Sequence, residues 1–223
     1  MANSSASGSS ASGSTPSSNA QSISTEIWNV PNQLTVARLV LSVVCFFFLA
    51  IDWYGTALVL FAIAAGTDWV DGYWARKYGQ ITQLGRILDP FADKIIICGT
   101  FIFLAAVPPR ITGQSASEIT AWMAVLVMGR EILVTALRSF FEEHGTDFSA
   151  KWAGKIKMVF QCAAVGGSLG RLWYYGYADG HWTTAPPEST TWLLRIIVWA
   201  TIAITVYSGW GYVQTALRLL RKS

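Results

Sequence analysis

Six apolar stretches take up most of this chain of 223 residues. Each is close to the length of about 20 residues that an α-helix needs to cross the hydrocarbon core of a bilayer. A backbone exposed to lipid must satisfy all of its hydrogen bonds internally, as helices do. The sequence therefore predicts an all-α membrane protein with six transmembrane helices, packed as one domain over residues 23–223. The stretches span residues 34–53, 56–74, 87–107, 119–141, 159–177 and 191–217.

The composition supports this fold class and leaves no room for a soluble domain beside it. Hydrophobic residues make up 52% of the chain and charged residues 13%, whereas about 25% of the residues in a soluble domain are charged. The 3 cysteines and 2 histidines show no paired spacing. The sequence therefore predicts neither a disulfide framework nor a zinc site.

Residues 1–22 differ from the rest of the chain, because they are rich in Ser, Ala and Gly and contain no charged side chain. Such a segment cannot bury enough apolar surface to offset its conformational entropy. It also lacks the apolar core of a secretory signal and the arginines of a transit peptide. We therefore expect this tail to be disordered.

Positively charged side chains are concentrated at one set of predicted helix ends, which indicates the orientation of the chain in the membrane. Arg110, Arg171 and Arg195 fall toward the opposite ends. Because cytoplasmic ends carry the excess of Lys and Arg, both termini are predicted to be cytoplasmic. Nucleic-acid binding would need an exposed basic face instead, so no nucleic-acid partner is predicted. The residues at the cytoplasmic ends are Arg38, Arg76, Lys77, Arg86, Lys94, Arg130, Arg138, Lys151, Lys155, Lys157, Arg218, Arg221 and Lys222.

The segments between the apolar stretches predict how neighbouring helices are connected. The turn over residues 52–55 is so short that the first two helices must be antiparallel neighbours. Residues 77–84 are polar enough to form a cytoplasmic link, and Pro108 is expected to end the third helix. Residues 108–118 and 178–189 are predicted to form the two larger external loops.

Four aspartates occupy fixed positions in a motif of eight residues across the second and third stretches. The motif is Asp68-x2-Asp71-Gly72-x2-Ala75-Arg76-x8-Gly85-x3-Asp89-x3-Asp93. Residues three or four apart share a helix face, so Asp68 and Asp71 lie together on one helix. Asp89 and Asp93 lie together on the next. Because a short link joins the two helices, the four carboxylates are predicted to converge near the cytoplasmic side of the membrane.

Four neighbouring carboxylates raise one another's pKa and stay ionised together only if a cation is bound. Oxygen ligands favour Mg²⁺, Mn²⁺ or Ca²⁺ over zinc, and pairs of such ions recur in enzymes that displace groups at phosphorus. Two alternatives remain open at this point. The aspartates are also compatible with structural ion pairs to nearby basic residues, and with the ion path of a divalent-cation transporter.

The motif resembles the signature of the CDP-alcohol phosphatidyltransferase family at all eight positions. The resemblance implies a six-helix membrane fold, a homodimer, a CDP-linked lipid donor and two divalent ions, Mg²⁺ or Mn²⁺. It also implies that an alcohol hydroxyl attacks the phosphatidyl phosphorus and that CMP leaves. In the implied roles, Asp93 is both a metal ligand and the general base, and the other metal ligands are Asp68, Asp71 and Asp89. The implied contacts to the CDP-lipid are Asp71, Gly72, Ala75, Arg76 and Gly85.

A narrower resemblance bears on the acceptor alcohol. Residues 30–38, 129–132, 137–138 and 154–157 are similar to the bacterial phosphatidylglycerolphosphate synthases of this family. This similarity implies transfer from CDP-diacylglycerol to glycerol 3-phosphate in the bacterial cytoplasmic membrane, with the active site facing the cytoplasm. A phosphorylated acceptor needs cations, although the positive-inside bias would place bases here for any substrate. The candidate residues for the acceptor phosphate are Arg130, Arg138, Lys155, Lys157 and Arg38.

Two other members of the family remain alternatives on the sequence alone. A cardiolipin synthase of the same fold would use phosphatidylglycerol as its acceptor, and a related synthase would use inositol phosphate. The basic residues disfavour a neutral alcohol, because an uncharged acceptor needs fewer cations. They do not separate two phosphorylated acceptors.

Overall fold

The computed structural model describes residues 30–78, 83–108, 115–143, 152–178 and 181–220. For some of these residues, among them 68–78, 83–90, Asp93 and 152–155, only the backbone is described. The predicted tail over residues 1–22 lies outside this range. The described residues form six helices and one short antiparallel strand pair, which confirms the all-α prediction. The helices are α1 Val30–Ala50, α2 Tyr54–Tyr78, α3 Gln83–Ala106, α4 Ala121–Glu143, α5 Trp152–Tyr174 and α6 Glu188–Leu220, and the strands are β1 Tyr177–Ala178 and β2 His181–Trp182.

The turn between α1 and α2 is as short as predicted, with three residues between the two helices. Asp52 adopts a left-handed backbone conformation with a φ of 58°, which reverses the chain direction after the helix end. The backbone amide of Trp53 donates to the carbonyl oxygen of Phe48 at 2.9 Å. The hydroxyl of Tyr54 donates to Oδ1 of Asp52 at 2.6 Å. These bonds fix a tight connection, and α1 and α2 pack against each other.

Several helices extend beyond the apolar stretches that predicted them. Helix α2 continues to Tyr78 and α3 already begins at Gln83, so the predicted link over residues 77–84 is too long. Helix α5 begins at Trp152, seven residues before its apolar stretch. Lys, Arg and Gln have high helix propensities, and they carry the helices past the apolar residues. The predicted end of α3 before Pro108 is confirmed.

The helices pack around a core to which all six contribute buried side chains. Helix α3 contacts α4 and α5, and α6 contacts the same two helices from another side. Phe101, Leu104, Val127 and Leu169 are fully buried in this core. Large apolar side chains also cover the outside of the bundle, where Val159 is 67% exposed. A soluble bundle would carry polar residues on that outer face.

One helix of the described chain meets the length and composition that membrane crossing requires. It covers Glu188–Arg218 within α6. Shorter apolar helical segments cover Thr35–Ala50, Tyr54–Thr67 and Lys94–Ala106. The count of six transmembrane helices and the cytoplasmic position of both termini therefore stay predictions.

An ion network at the end opposite the aspartate motif ties the segment before α4 to α5 and α6. Oε1 of Glu118 accepts a hydrogen bond from Arg171 of α5 at 3.4 Å, and Oε2 accepts from Arg195 of α6 at 3.0 Å. Ser117 adds a bond to the carbonyl oxygen of Leu104 in α3, and its own carbonyl accepts from Ser168 of α5. The predicted loop over residues 108–118 therefore ends in a segment that is fixed to three helices.

Candidate functional site

The aspartate motif lies on two consecutive helices that contact each other. Its first five residues fall in the C-terminal part of α2, and the other three fall in the N-terminal part of α3. Helix geometry places Asp68 beside Asp71, and Asp89 beside Asp93. Helices α2 and α3 are in contact, and four residues join them. The side chains of the four aspartates lie outside the described ones, so the predicted meeting of the two pairs stays a prediction.

The donor set of this motif fits a hard divalent cation. All four candidate ligands are carboxylates, whose oxygens Mg²⁺ and Mn²⁺ prefer. Among the side chains that the structure describes, no group of three or more His, Cys, Asp or Glu could hold a metal. The four aspartates are not part of that set. Their roles as metal ligands, and the contacts of Gly72, Ala75, Arg76 and Gly85 to a CDP-lipid, remain predictions.

Two of the predicted acceptor-phosphate residues meet at a buried carboxylate that the sequence analysis gave no role. Oε1 of Glu131 accepts a hydrogen bond from Nζ of Lys157, and it lies 3.4 Å from Nη1 of Arg130. The three side chains are between 8% and 10% exposed. Because Arg130 and Glu131 belong to α4 and Lys157 belongs to α5, the network links two helices that both pack on α3 and α6.

Helix α6 holds Arg130 from the other side. Nη2 of Arg130 donates to the hydroxyl oxygen of Ser208 at 3.0 Å, and its guanidinium carbon lies 5.6 Å from the centre of the Tyr212 ring. Ser208 and Tyr212 are four residues apart and share a face of α6. A methyl group on Gly209 would lie 3.2 Å from Cγ of Arg130. The absence of a side chain at position 209 therefore leaves space for the Arg130 stem.

Three buried polar atoms near this network have no hydrogen-bond partner among the described residues: Nε of Arg130, Nε2 of Gln161 and Oγ1 of Thr205. Gln161 follows Lys157 by one turn of α5, and Thr205 precedes Ser208 by one turn of α6. A buried polar group without a partner costs about 1–3 kcal/mol. Hydrogen-bonding groups on α4, α5 and α6 thus lie buried near Glu131 without a protein partner among the described residues.

Burial also affects the charge of Lys157, which lies two residues before the apolar stretch of α5. Removal from water lowers the pKa of its ammonium group, and the positive charge of Arg130 lowers it further. The carboxylate of Glu131 acts in the opposite direction and raises this pKa. Glu131 therefore favours the charged form of Lys157 in its buried position.

The other candidate residues for the acceptor phosphate lie in different surroundings. Arg38 is buried in α1, at 3% exposure. Arg138 is exposed on α4, about two turns after Arg130. Lys155 belongs to α5, and its side chain lies outside the described ones. The described contacts bring Arg130 and Lys157 together at Glu131, and they do not bring Arg38 or Arg138 to that carboxylate.

Sequence reasoning missed Glu131, Ser208 and Tyr212. One signal for Glu131 was available, because an acidic residue within an apolar helix needs a cationic partner. No comparable signal marks Ser208 or Tyr212, because their contacts with Arg130 join residues about 80 positions apart and arise from the packing of α4 on α6.

The six-helix fold, with the aspartate motif on two contacting helices, agrees with the family suggested by the sequence. A family model described as CDP-alcohol phosphatidyltransferase matches residues 28–208. This match covers well over half of the chain, and the chain belongs to the CDP-alcohol phosphatidyltransferase family. The resemblance drawn from the motif is thereby confirmed.

Curated relatives extend the comparison to whole proteins. A CDP-diacylglycerol–glycerol-3-phosphate 3-phosphatidyltransferase of Bacillus subtilis is 30% identical over 217 residues, which cover 88% of this chain and 100% of the relative. A protein of the same name from Haemophilus influenzae is 35% identical over 161 residues, which cover 68% of this chain and 80% of the relative. The protein of that name from Escherichia coli K12 is 33% identical over 160 residues, with coverages of 68% and 84%.

Proposed function

We propose that this chain transfers the phosphatidyl group of CDP-diacylglycerol to glycerol 3-phosphate, giving phosphatidylglycerol phosphate and CMP. The observation that carries the proposal is its similarity to the Bacillus subtilis relative over that protein's full length. The name of that relative states both substrates. The buried cations at Glu131 add support from the structure, because glycerol 3-phosphate carries a phosphate that needs positive charge.

In the proposed mechanism, Asp93 accepts the proton of the glycerol 3-phosphate hydroxyl, whose oxygen attacks the phosphatidyl phosphorus. The bond from that phosphorus to the oxygen of CMP breaks, and CMP leaves. Gly72, Ala75 and Gly85 allow the donor to approach the backbone closely. Arg76 donates hydrogen bonds to phosphate oxygens of the donor.

Two divalent ions, Mg²⁺ or Mn²⁺, are part of the proposal. Asp68, Asp71, Asp89 and Asp93 would hold them. When bound, the ions would supply positive charge next to the diphosphate, where negative charge develops on the departing CMP.

The acceptor is proposed to bind between α4, α5 and α6. Arg130 and Lys157 carry two positive charges and Glu131 carries one negative charge, so this buried group has a net charge of +1. Arg38, Arg138 and Lys155 add positive charge on α1, α4 and α5. An acceptor without a phosphate would leave the net charge of +1 on Arg130, Lys157 and Glu131 without a matching anion, which disfavours a neutral alcohol.

The placement of the enzyme in a membrane is also proposed. Large apolar side chains on the outside of the bundle, such as Val43 at 64% and Val125 at 64% exposure, suit contact with lipid. We propose a multi-pass protein of the bacterial cytoplasmic membrane with its active site facing the cytoplasm. By resemblance to the family, it acts as a homodimer.

The test is release of CMP by the purified protein in detergent with CDP-diacylglycerol and Mg²⁺. Glycerol 3-phosphate, inositol phosphate and phosphatidylglycerol are compared as acceptors, and a chelator serves as the control. We expect release that depends on glycerol 3-phosphate and stops when the metal is removed. Release that depends on phosphatidylglycerol or inositol phosphate would assign the acceptor of a related synthase. Metal flux into proteoliposomes without release of CMP would instead support a cation transporter.

A further inference from the structure

We infer that Glu131 is a positioning residue that holds Arg130 and Lys157 in place as a charged pair for the phosphate of the acceptor. The inference rests on the proposed function, because it requires an acceptor that carries phosphate. Glu131 lies outside the eight-residue motif and has no part in the proposed proton transfer. Its role would be exerted through the two cations that it contacts.

The first argument is the position of the carboxylate between two cations on different helices. Oε1 of Glu131 forms ion pairs with both Lys157 of α5 and Arg130 of α4. Without that negative charge, two buried positive charges would repel each other where water does not screen them. The carboxylate therefore allows both cations to stay charged and close together before the acceptor binds.

The second argument is that the guanidinium of Arg130 is held at both terminal nitrogens. Nη1 lies near Glu131 of its own helix, and Nη2 bonds to Ser208 of α6. The Tyr212 ring lies against the same group. Long side chains of Arg and Lys lose about 2 kcal/mol of rotamer freedom when they are fixed. Because these contacts fix Arg130 and Lys157 in the free enzyme, little ordering remains to be done when the phosphate binds.

The third argument is that this arrangement leaves one donor of Arg130 and a positive net charge for the ligand. Nε of Arg130 is buried and has no hydrogen-bond partner among the described residues. The net charge of +1 still attracts an anion. Glu131 thus orders the pair without neutralising it.

The experiment compares Glu131→Gln and Glu131→Asp with wild type in the full-length enzyme, with KM measured separately for glycerol 3-phosphate and CDP-diacylglycerol. For Glu131→Gln we expect KM for glycerol 3-phosphate to rise about tenfold or more, with KM for CDP-diacylglycerol changed less than about twofold. Glu131→Asp keeps the charge and should recover part of the loss.

Glu118→Gln is the matched control. Glu118 also forms ion pairs with two arginines, and its side chain is 9% exposed. It lies at the end of the bundle opposite the aspartate motif. We expect its KM for glycerol 3-phosphate to stay at the wild-type value. A similar rise in KM in this variant would show that loss of any buried ion network is sufficient, which would overturn the positioning role.

The outcomes separate this inference from the proposed function. If wild type releases CMP with glycerol 3-phosphate and folded Glu131→Gln has an unchanged KM for it, the positioning role is wrong while the proposed function stands. If wild type does not use glycerol 3-phosphate, the proposed function fails first. Should Glu131→Gln fail to fold, Glu131→Asp decides the question. Its carboxylate ends one methylene short of the positions that contact Lys157 and Arg130, so we expect a smaller rise in KM for glycerol 3-phosphate. An unchanged KM in that variant would show that the position of the carboxylate does not matter, which would overturn the inference.

Discussion

Arg130 on α4 donates a hydrogen bond of 3.0 Å to the hydroxyl of Ser208 on α6, across 78 positions of sequence. The same hydroxyl donates to the carbonyl oxygen of Thr205 at 3.1 Å, so its orientation is fixed by its own helix. Through this bond α6 contacts the charged group of Arg130, Glu131 and Lys157, whose members lie on α4 and α5. The position of Arg130 therefore depends on the packing of α6 as well as on its own helix.

Gly209→Ala should weaken binding of glycerol 3-phosphate without altering any charge. The new methyl group would lie 3.2 Å from Cγ of Arg130 and would displace the stem of that side chain. We expect KM for the acceptor to rise about fivefold, or ~1 kcal/mol. Gly211→Ala is the control, because a methyl group there has no neighbour within 4 Å and the gain in helix propensity is the same. Equal KM values in the two variants would contradict the prediction.

Arg130→Lys should impair use of the acceptor more than Arg138→Ala does. Lysine lacks the planar guanidinium whose two terminal nitrogens reach Glu131 and Ser208. Arg138, by contrast, is exposed on α4. We expect Arg138→Ala to raise KM for glycerol 3-phosphate by about threefold and Arg130→Lys to raise it by at least tenfold. Steady-state release of CMP measures both values. Wild-type kinetics in Arg138→Ala would remove that residue from the acceptor site.

Asp93→Asn should abolish turnover while donor binding is largely kept. The amide is close to the carboxylate in shape, but it cannot accept the proton of the attacking hydroxyl. We expect CMP release to fall by at least 100-fold, a rough figure for the loss of a general base. Binding of CDP-diacylglycerol is measured separately, for example by calorimetry in detergent. A variant that still turns over near the wild-type rate would exclude Asp93 as the base.

Acceptor binding should weaken as the pH rises through the pKa of Lys157. Burial lowers this pKa below its ordinary value, so the cation is present at lower pH and is lost earlier on alkalinisation than in an exposed lysine. The charged and titratable groups that act on it are Arg130 and Glu131 of α4 and Cys98 of α3. Lys157→Arg serves as the comparison, because arginine does not titrate in this range. Identical profiles of acceptor KM against pH would argue against this source of pH dependence.

Glu118→Gln should lower the stability of the folded protein. The variant removes the carboxylate that accepts from Arg171, whose side chain is 4% exposed, and from Arg195. Loss of one partner from a buried ion pair costs roughly 3 kcal/mol, and we expect a fall of several degrees in Tm. Thermal unfolding in detergent measures the change. Arg195→Gln should cost less, because the Arg195 side chain is 28% exposed.

Local rules predicted much of the fold. Apolar stretches gave the number and order of the helices, and the short connection near Asp52 gave the pairing of α1 with α2. Pro108 marked the end of α3. The helix ends were less predictable, because residues such as Lys77 and Lys155 have a helix propensity that hydrophobicity does not reveal. The strand pair near Tyr177 was missed, since two residues are too few to show a period of two.

The candidate site, like the fold, could be predicted from the sequence only in part. The spacing of the aspartates fixes their helix faces, because residues three or four apart share a face. The contacts of Arg130 and Lys157 do not follow from spacing, because Glu131 and Lys157 are 26 positions apart and meet through the packing of α4 and α5 on their neighbours. Sequence reasoning thus found the cations but not the groups that hold them.

Helix α6 continues without a break from Glu188 to Leu220. Arg195, which bonds to Glu118, and Ser208, which bonds to Arg130, therefore lie on one helix, roughly 20 Å apart along its axis. If a single residue were inserted between them, Ser208 would turn by about 100° relative to Arg195, and both bonds could not form together. We therefore expect that an insertion or deletion between positions 195 and 208 would break one of the two bonds, whereas most side chains along that stretch could be exchanged for others of similar size.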